Sequence, residues 1–116
     1  ANNLASLLTD QFPSQDNLRK ALALSGQFAD ATEPYYLDTY GWVNVQLGHL
    51  DKAQTTLEKV IALSPDVAVF NYHIGALYLK QGDKVAADKY LAAAQNLAEK
   101  QGDKITLAKV KELVSK

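Results

Sequence analysis

Apolar residues recur along this chain at intervals of three and four, and short breaks of glycine, proline or polar residues cut the runs into helix-length segments. Leu4, Ala5, Leu7 and Leu8 predict a short helix over 4–11. Phe12-Pro13-Ser14 breaks it, because the residue before a proline is driven out of helical conformation. Ser14 is placed to cap a second helix over about 15–30, carried by Leu18, Ala21, Leu22, Leu24 and Phe28. Pro34 opens a third over about 35–47, where its missing N–H costs nothing, and Gly48 ends it. A fourth begins near Asp51 and runs to Leu63, where Ser64-Pro65-Asp66 stops it. A fifth spans about 67–80 and closes at Gly82, and Asp83 caps an alanine-rich sixth over about 84–100. Gly102-Asp103 is a further stop and cap. The seventh, about 104–115, carries an apolar face of Leu107, Val110, Leu113 and Val114. No alternation of strand type persists, so the predicted fold class is all-α.

The breaks are periodic. Gly41 recurs 34 residues later as Gly75, Gly48 as Gly82, Ala53 as Ala87, Leu57 as Leu91 and Leu63 as Leu97. These are the places where two packed helices need a small residue, a turn glycine or a core leucine. A weaker copy precedes them, with Leu4 and Ala5 standing where Tyr40 and Gly41 stand, and Ala21 and Ser25 where Ala53 and Leu57 stand.

This pattern resembles the tetratricopeptide repeat (TPR). Over 34–67 it is met by Leu37, Tyr40, Gly41, Ala53, Leu57 and Pro65, and over 68–101 by Ile74, Gly75, Tyr78, Ala87 and Leu91. Asn44 departs from an expected tyrosine, Asn71 from the tryptophan, and Glu99 stands where proline is usual. The resemblance implies antiparallel helix pairs stacked into a right-handed superhelix, as one domain over 1–116. A degenerate repeat fills 1–33, repeats follow at 34–67 and 68–101, and a capping helix closes the array at 102–116, since solenoids need an end unit with a polar outer face. A narrower likeness lies in Asn2-Asn3-Leu4-Ala5, Leu37 to Val43, Ser64-Pro65-Asp66 and Tyr72-His73. That run is similar to the C-terminal repeats of long bacterial TPR scaffolds, including lipoproteins of exopolysaccharide and exosortase-type systems. It implies an assembly scaffold of the cell envelope or periplasm.

Composition narrows the function classes. Apolar residues make up 47% and charged residues 22%, ordinary for a globular chain, and the net charge of −1 offers no field for nucleic acid. Charge is uneven along the chain: residues 1–66 hold 8 acids and 4 bases, and residues 67–116 hold 5 acids and 8 bases. With no cysteine, there is neither a disulfide framework nor a thiolate metal site. No apolar run is long enough to span a membrane. The chain starts abruptly in a helical pattern at Ala1-Asn2-Asn3-Leu4 and reads as a piece of a longer protein. Leu7, Leu8, Leu24 and Phe28 are then expected to leave an apolar strip at the N-terminal end, a route to self-association.

Candidate chemistry is sparse. His49 and His73 fit no metal-ligand spacing, and the glycines form no phosphate loop. Asp38, His73 and Tyr72 make a contrived triad, whereas polar groove residues on a scaffold are commonplace, so no enzyme and no cofactor are expected. In TPR proteins the first helix of each pair lines the concave face. The resemblance therefore implies a peptide-binding groove of Tyr35, Asp38, Trp42, Val45 and Gln46 from one repeat and Val69, Tyr72, Ala76 and Lys80 from the next, with Leu79 among the inward-facing positions. Asn2, Ser6, Thr9 and Asp10 extend it onto the degenerate repeat. Tyr40, Tyr78 and Tyr90 are assigned to the interior. Trp42 is open to two roles, an aromatic anchor in the groove or half-buried packing. Chaperone-binding TPR domains clamp a C-terminal carboxylate with lysine and asparagine; Asp38 and Trp42 stand at two of those places and supply no such donors. The expected activity is a protein-interaction scaffold that holds a peptide or partner protein, and the rival is an architectural end cap with no ligand of its own.

Overall fold

The fold is given by a computed structural model that describes residues 15–26 and 33–115. Six helices occupy them: α1 (Gln15–Ser25), α2 (Pro34–Leu47), α3 (Leu50–Leu63), α4 (Ala68–Lys80), α5 (Lys84–Gln101) and α6 (Lys104–Val114). Among the described residues there is no strand. The all-α expectation holds, and the described helices begin and end within a residue or two of where the sequence places them. The expected helix over 4–11, its Phe12-Pro13-Ser14 break, the Ser14 cap, the end of the second helix and the groove extension at Asn2, Ser6, Thr9 and Asp10 lie outside the described residues.

Local chemistry sets the helix ends. Pro34 takes the first position of α2, and the Glu33 carboxylate just before it accepts from the Tyr36 N–H at 3.2 Å. Asp83 and Asp103 do the same for α5 and α6, accepting from Ala86 N at 3.1 Å and Thr106 N at 3.0 Å. Three helices stop in one way. Gly48, Gly82 and Gly102 take φ of +84°, +82° and +71°, the left-handed region that a side chain rarely enters. The N–H that follows each glycine then reaches back to a carbonyl five residues earlier: His49 to Asn44 (2.8 Å), Asp83 to Tyr78 (2.9 Å) and Asp103 to Ala98 (2.9 Å). This closure satisfies carbonyls that the helix itself leaves open.

The chain divides into two compact units between Val60 and Ile61, inside α3. In the first, α1 and α2 share a cluster of Ala21 and Val43, with Leu22, Leu24 and Leu47 packed against it. Within the same unit, α3 comes so close to α2 that a Cβ on Gly41 would stand 2.7 Å from Cδ2 of Leu57. In the second, α4 and α5 form a hairpin through the turn at Gln81–Asp83, and α6 packs on both. Its cluster of Ala87, Leu91, Ala94 and Val110 is flanked by Tyr72, Tyr78 and Leu113.

The two asparagines that depart from the repeat pattern are both buried and hold main chain. Asn44 Nδ2 donates to Tyr40 O at 2.9 Å, while its Oδ1 lies 3.2 Å from the His49 ring Nδ1. Asn71 Nδ2 donates to Pro65 O at 3.0 Å and Val67 O at 2.9 Å, which fastens the turn before α4. Gln101 Nε2 donates to Asp66 O at 2.9 Å and ties the end of α5 to the same turn. An aromatic side chain at either place would fill volume; an asparagine instead donates to main-chain carbonyls, and at Asn71 one of them is the turn carbonyl of Pro65.

The face of α6 needs a correction. Val110 is fully buried, and Leu107 and Leu113 are half-buried, as expected; Val114, however, is 56% exposed, and Thr106 is buried in its stead. Positions 106, 110 and 113 form one stripe on a helix, so the contact leans toward Thr106 and leaves Val114 outside in the last turn.

Candidate functional site

The residues expected to line a groove divide by burial into three sets. On α2, Tyr35 is 55% exposed in the first turn, and its neighbour Tyr36 is exposed as well. Trp42 and Gln46 are half-buried one turn apart, and the indole Nε1 and the amide Oε1 are both sealed from solvent. On α4, Val69 and Tyr72 are half-buried, and Lys80 is exposed at the C-terminal end. Leu79, beside Lys80, is 40% exposed.

Three members of the expected groove are interior. Val45 is fully buried and Ala76 nearly so, so neither offers surface to a peptide. Asp38 is only 6% exposed, so its carboxylate is not an open group of the groove either. The cause is the breadth of the buried stripe on α2. Leu37, Asp38, Thr39, Gly41, Val43, Asn44 and Val45 are all buried, covering most of the circumference and leaving the first turn and the Trp42–Gln46 edge to solvent. Thr39 adjusts to the interior by donating its hydroxyl to Tyr35 O at 3.0 Å. Helix α4 behaves alike, with Phe70, Asn71, His73, Ile74, Gly75, Ala76 and Leu77 all buried. A helix buried on most sides has little amphipathic pattern from which its open face can be read.

The remaining aromatic side chains serve packing. The Tyr72 ring sits against the α5–α6 cluster, with its centroid 5.4 Å from that of the buried His73. Tyr78 and Tyr90 stack at 5.7 Å with an interplanar angle of 20°, and the Lys89 ammonium lies 5.2 Å above the Tyr90 ring. Both tyrosines, and Tyr40, are half-buried rather than fully interior. His49 is exposed at the α2–α3 turn. No set of three His, Asp or Glu side chains among the described residues is grouped to hold a metal ion. Nor is any helix among them long and apolar enough to cross a membrane. For the N-terminal apolar strip, Leu24 is half-buried against the α1–α2 cluster, and Leu7, Leu8 and Phe28 lie outside the described residues.

Sequence reasoning missed Tyr36, Val85 and Ile105, all exposed apolar or aromatic side chains. Each stands in the first turn of its helix, where the next turn's packing no longer constrains it. That position was a usable signal.

Segments 35–67 and 68–101, together more than half of the chain, match the family described as the tetratricopeptide repeat. No curated protein matches the chain.

Proposed function

Since the chain belongs to the tetratricopeptide repeat family, we propose that it is a non-catalytic scaffold that holds a peptide or partner protein against the first helices of its repeats. Repeats of this family generally act as protein-interaction modules and are typically non-catalytic. The observation that carries the reading is the exposed tyrosine pair, Tyr35 and Tyr36, at the start of α2. Aromatic rings on a rigid helix give contact area at little entropic cost, and tyrosine is enriched at binding hot spots. The first helix of the second unit, α4, by itself keeps Val69 half-buried and Leu79 and Lys80 exposed. The narrower likeness to bacterial envelope scaffolds supports a partner that is itself an assembly component.

A second reading, an architectural unit within a longer solenoid, is favoured by the burial of Asp38, Val45 and Ala76, which narrows the free surface of both helices. Selection of a displayed peptide library on the chain separates the two. The scaffold reading expects enriched peptides whose binding falls with Tyr35→Ala while thermal unfolding stays put. A library without enrichment, or peptides indifferent to Tyr35, supports the architectural reading.

A further inference from the structure

A cleft of about 540 Å³ opens within the second unit, where the end of α4, the start of α5 and the end of α6 meet. Its apolar floor and rim are Leu79, Leu91, Leu113 and Val114, and its polar wall is Lys84 and Asp88. It shares only Leu79 with the surface proposed above. Leu79 and Val114 are exposed apolar side chains at its mouth, and Val85, in the first turn of α5, is 84% exposed.

The charges on the wall are arranged in a way that specifies an occupant. Lys84 and Asp88 are four apart on α5 and so face the same way. Base before acid is the weaker order for a pair within one helix. Two α5 helices laid antiparallel about a two-fold axis level with residue 86 set Lys84 of each against Asp88 of the other. A patch with one positive and one negative group a turn apart is thus complementary to itself, the requirement of an isologous interface. Lys84 and Asp88 are at the same time the polar wall of the cleft, so a copy paired with them lies beside the mouth that Leu79 and Val114 rim. The geometry points to a second copy of this chain as the occupant of the cleft, joined through α5 and α6 as a symmetric dimer. The inference stands apart from the scaffold function and survives its failure.

Charge reversal with light scattering and sedimentation tests it. The expected result is a concentration-dependent dimer for the native chain, and dimerisation about tenfold weaker or more for Lys84→Asp and for Asp88→Lys taken singly. Both positions are exposed, so helicity by circular dichroism should be unchanged. When the two single variants are mixed, one presents only acids and the other only bases, and they should dimerise with each other. The double swap within one chain should restore the native behaviour. A native chain that stays monomeric to millimolar concentration overturns the proposal. So do single variants that dimerise as the native chain does, a mixture that fails to pair, or a monomer whose Val114 methyl signals move only on adding an unrelated peptide.

Discussion

Leu91 lies against Gly75 so closely that a Cβ on the glycine would stand 2.8 Å from the leucine Cδ2 and Cγ and 3.2 Å from its backbone nitrogen. The same pairing occurs 34 residues earlier, where a Cβ on Gly41 would meet Leu57 Cδ2 at 2.7 Å, Leu57 Cγ at 2.9 Å and Thr56 Cγ2 at 3.3 Å. The two glycines let paired helices approach to backbone distance, and their recurrence is the clearest mark of the repeat in the sequence.

Gly75→Ala is therefore expected to destabilise the protein. Over-packing costs about 1–3 kcal/mol, set against up to ~1 kcal/mol of gained helix propensity. Gly41→Ala meets only side-chain atoms, which give way more readily than the backbone that Gly75 faces, so its loss should be smaller. Urea unfolding of the two variants checks the order; equal stability for Gly75→Ala and the native chain would contradict it.

The docking of α6 rests on Val110. Val110→Ala should cost about 2 kcal/mol, whereas Val114→Ala, at an exposed position, should change the melting temperature little. Truncation after Lys100 uncovers the Leu91–Ala94 cluster that Val110 joins and should lower the melting temperature sharply or leave the protein insoluble. An unchanged melt on truncation would show that the helix is not docked.

Caps and turn bonds give a graded series. Asp83→Ala and Asp103→Ala each remove an acceptor for a first-turn N–H and should cost about 1 kcal/mol. Asn71→Leu keeps much of the volume but takes the side-chain donor away from Pro65 O, while Val67 O keeps the Asn71 N–H, and should cost about 1–3 kcal/mol. Thermal unfolding of the three variants reads the ranking directly.

Trp42 distinguishes packing from recognition. Its half-burial, with Nε1 sealed from solvent, leads to an expected loss of about 2–4 kcal/mol on Trp42→Ala. Tyr35→Ala should leave the melting temperature unchanged, because the ring is largely exposed. A stable Trp42→Ala protein that no longer binds selected peptides would return Trp42 to the role of anchor.

The sequence disclosed the fold far better than the site. Many helix ends were legible because they have a local chemical cause: Pro34 at a first position, Asp83 and Asp103 as caps, and Gly48, Gly82 and Gly102 at positive φ. The Gly–Leu spacing made the helix pairs legible. Asp38, Val45 and Ala76 were misplaced because α2 and α4 are buried around most of their circumference, and repeat position alone does not say how much surface a helix keeps. Val114 was misplaced because α6 contacts its neighbours along the Thr106–Val110–Leu113 stripe, and a threonine there looks like surface in a hydropathy pattern. Neither the cleft beside α5 nor the stack of Tyr78 on Tyr90 has a sequence signal, since both depend on which turns of different helices come level.

The most direct test of the scaffold function is a map of backbone and methyl chemical shifts on titration with a peptide selected against the chain. Perturbations centred on Tyr35 and Tyr36 at the start of α2, and abolished by Tyr35→Ala, are the predicted result. Perturbations that leave the start of α2 untouched, unchanged by Tyr35→Ala, would contradict it.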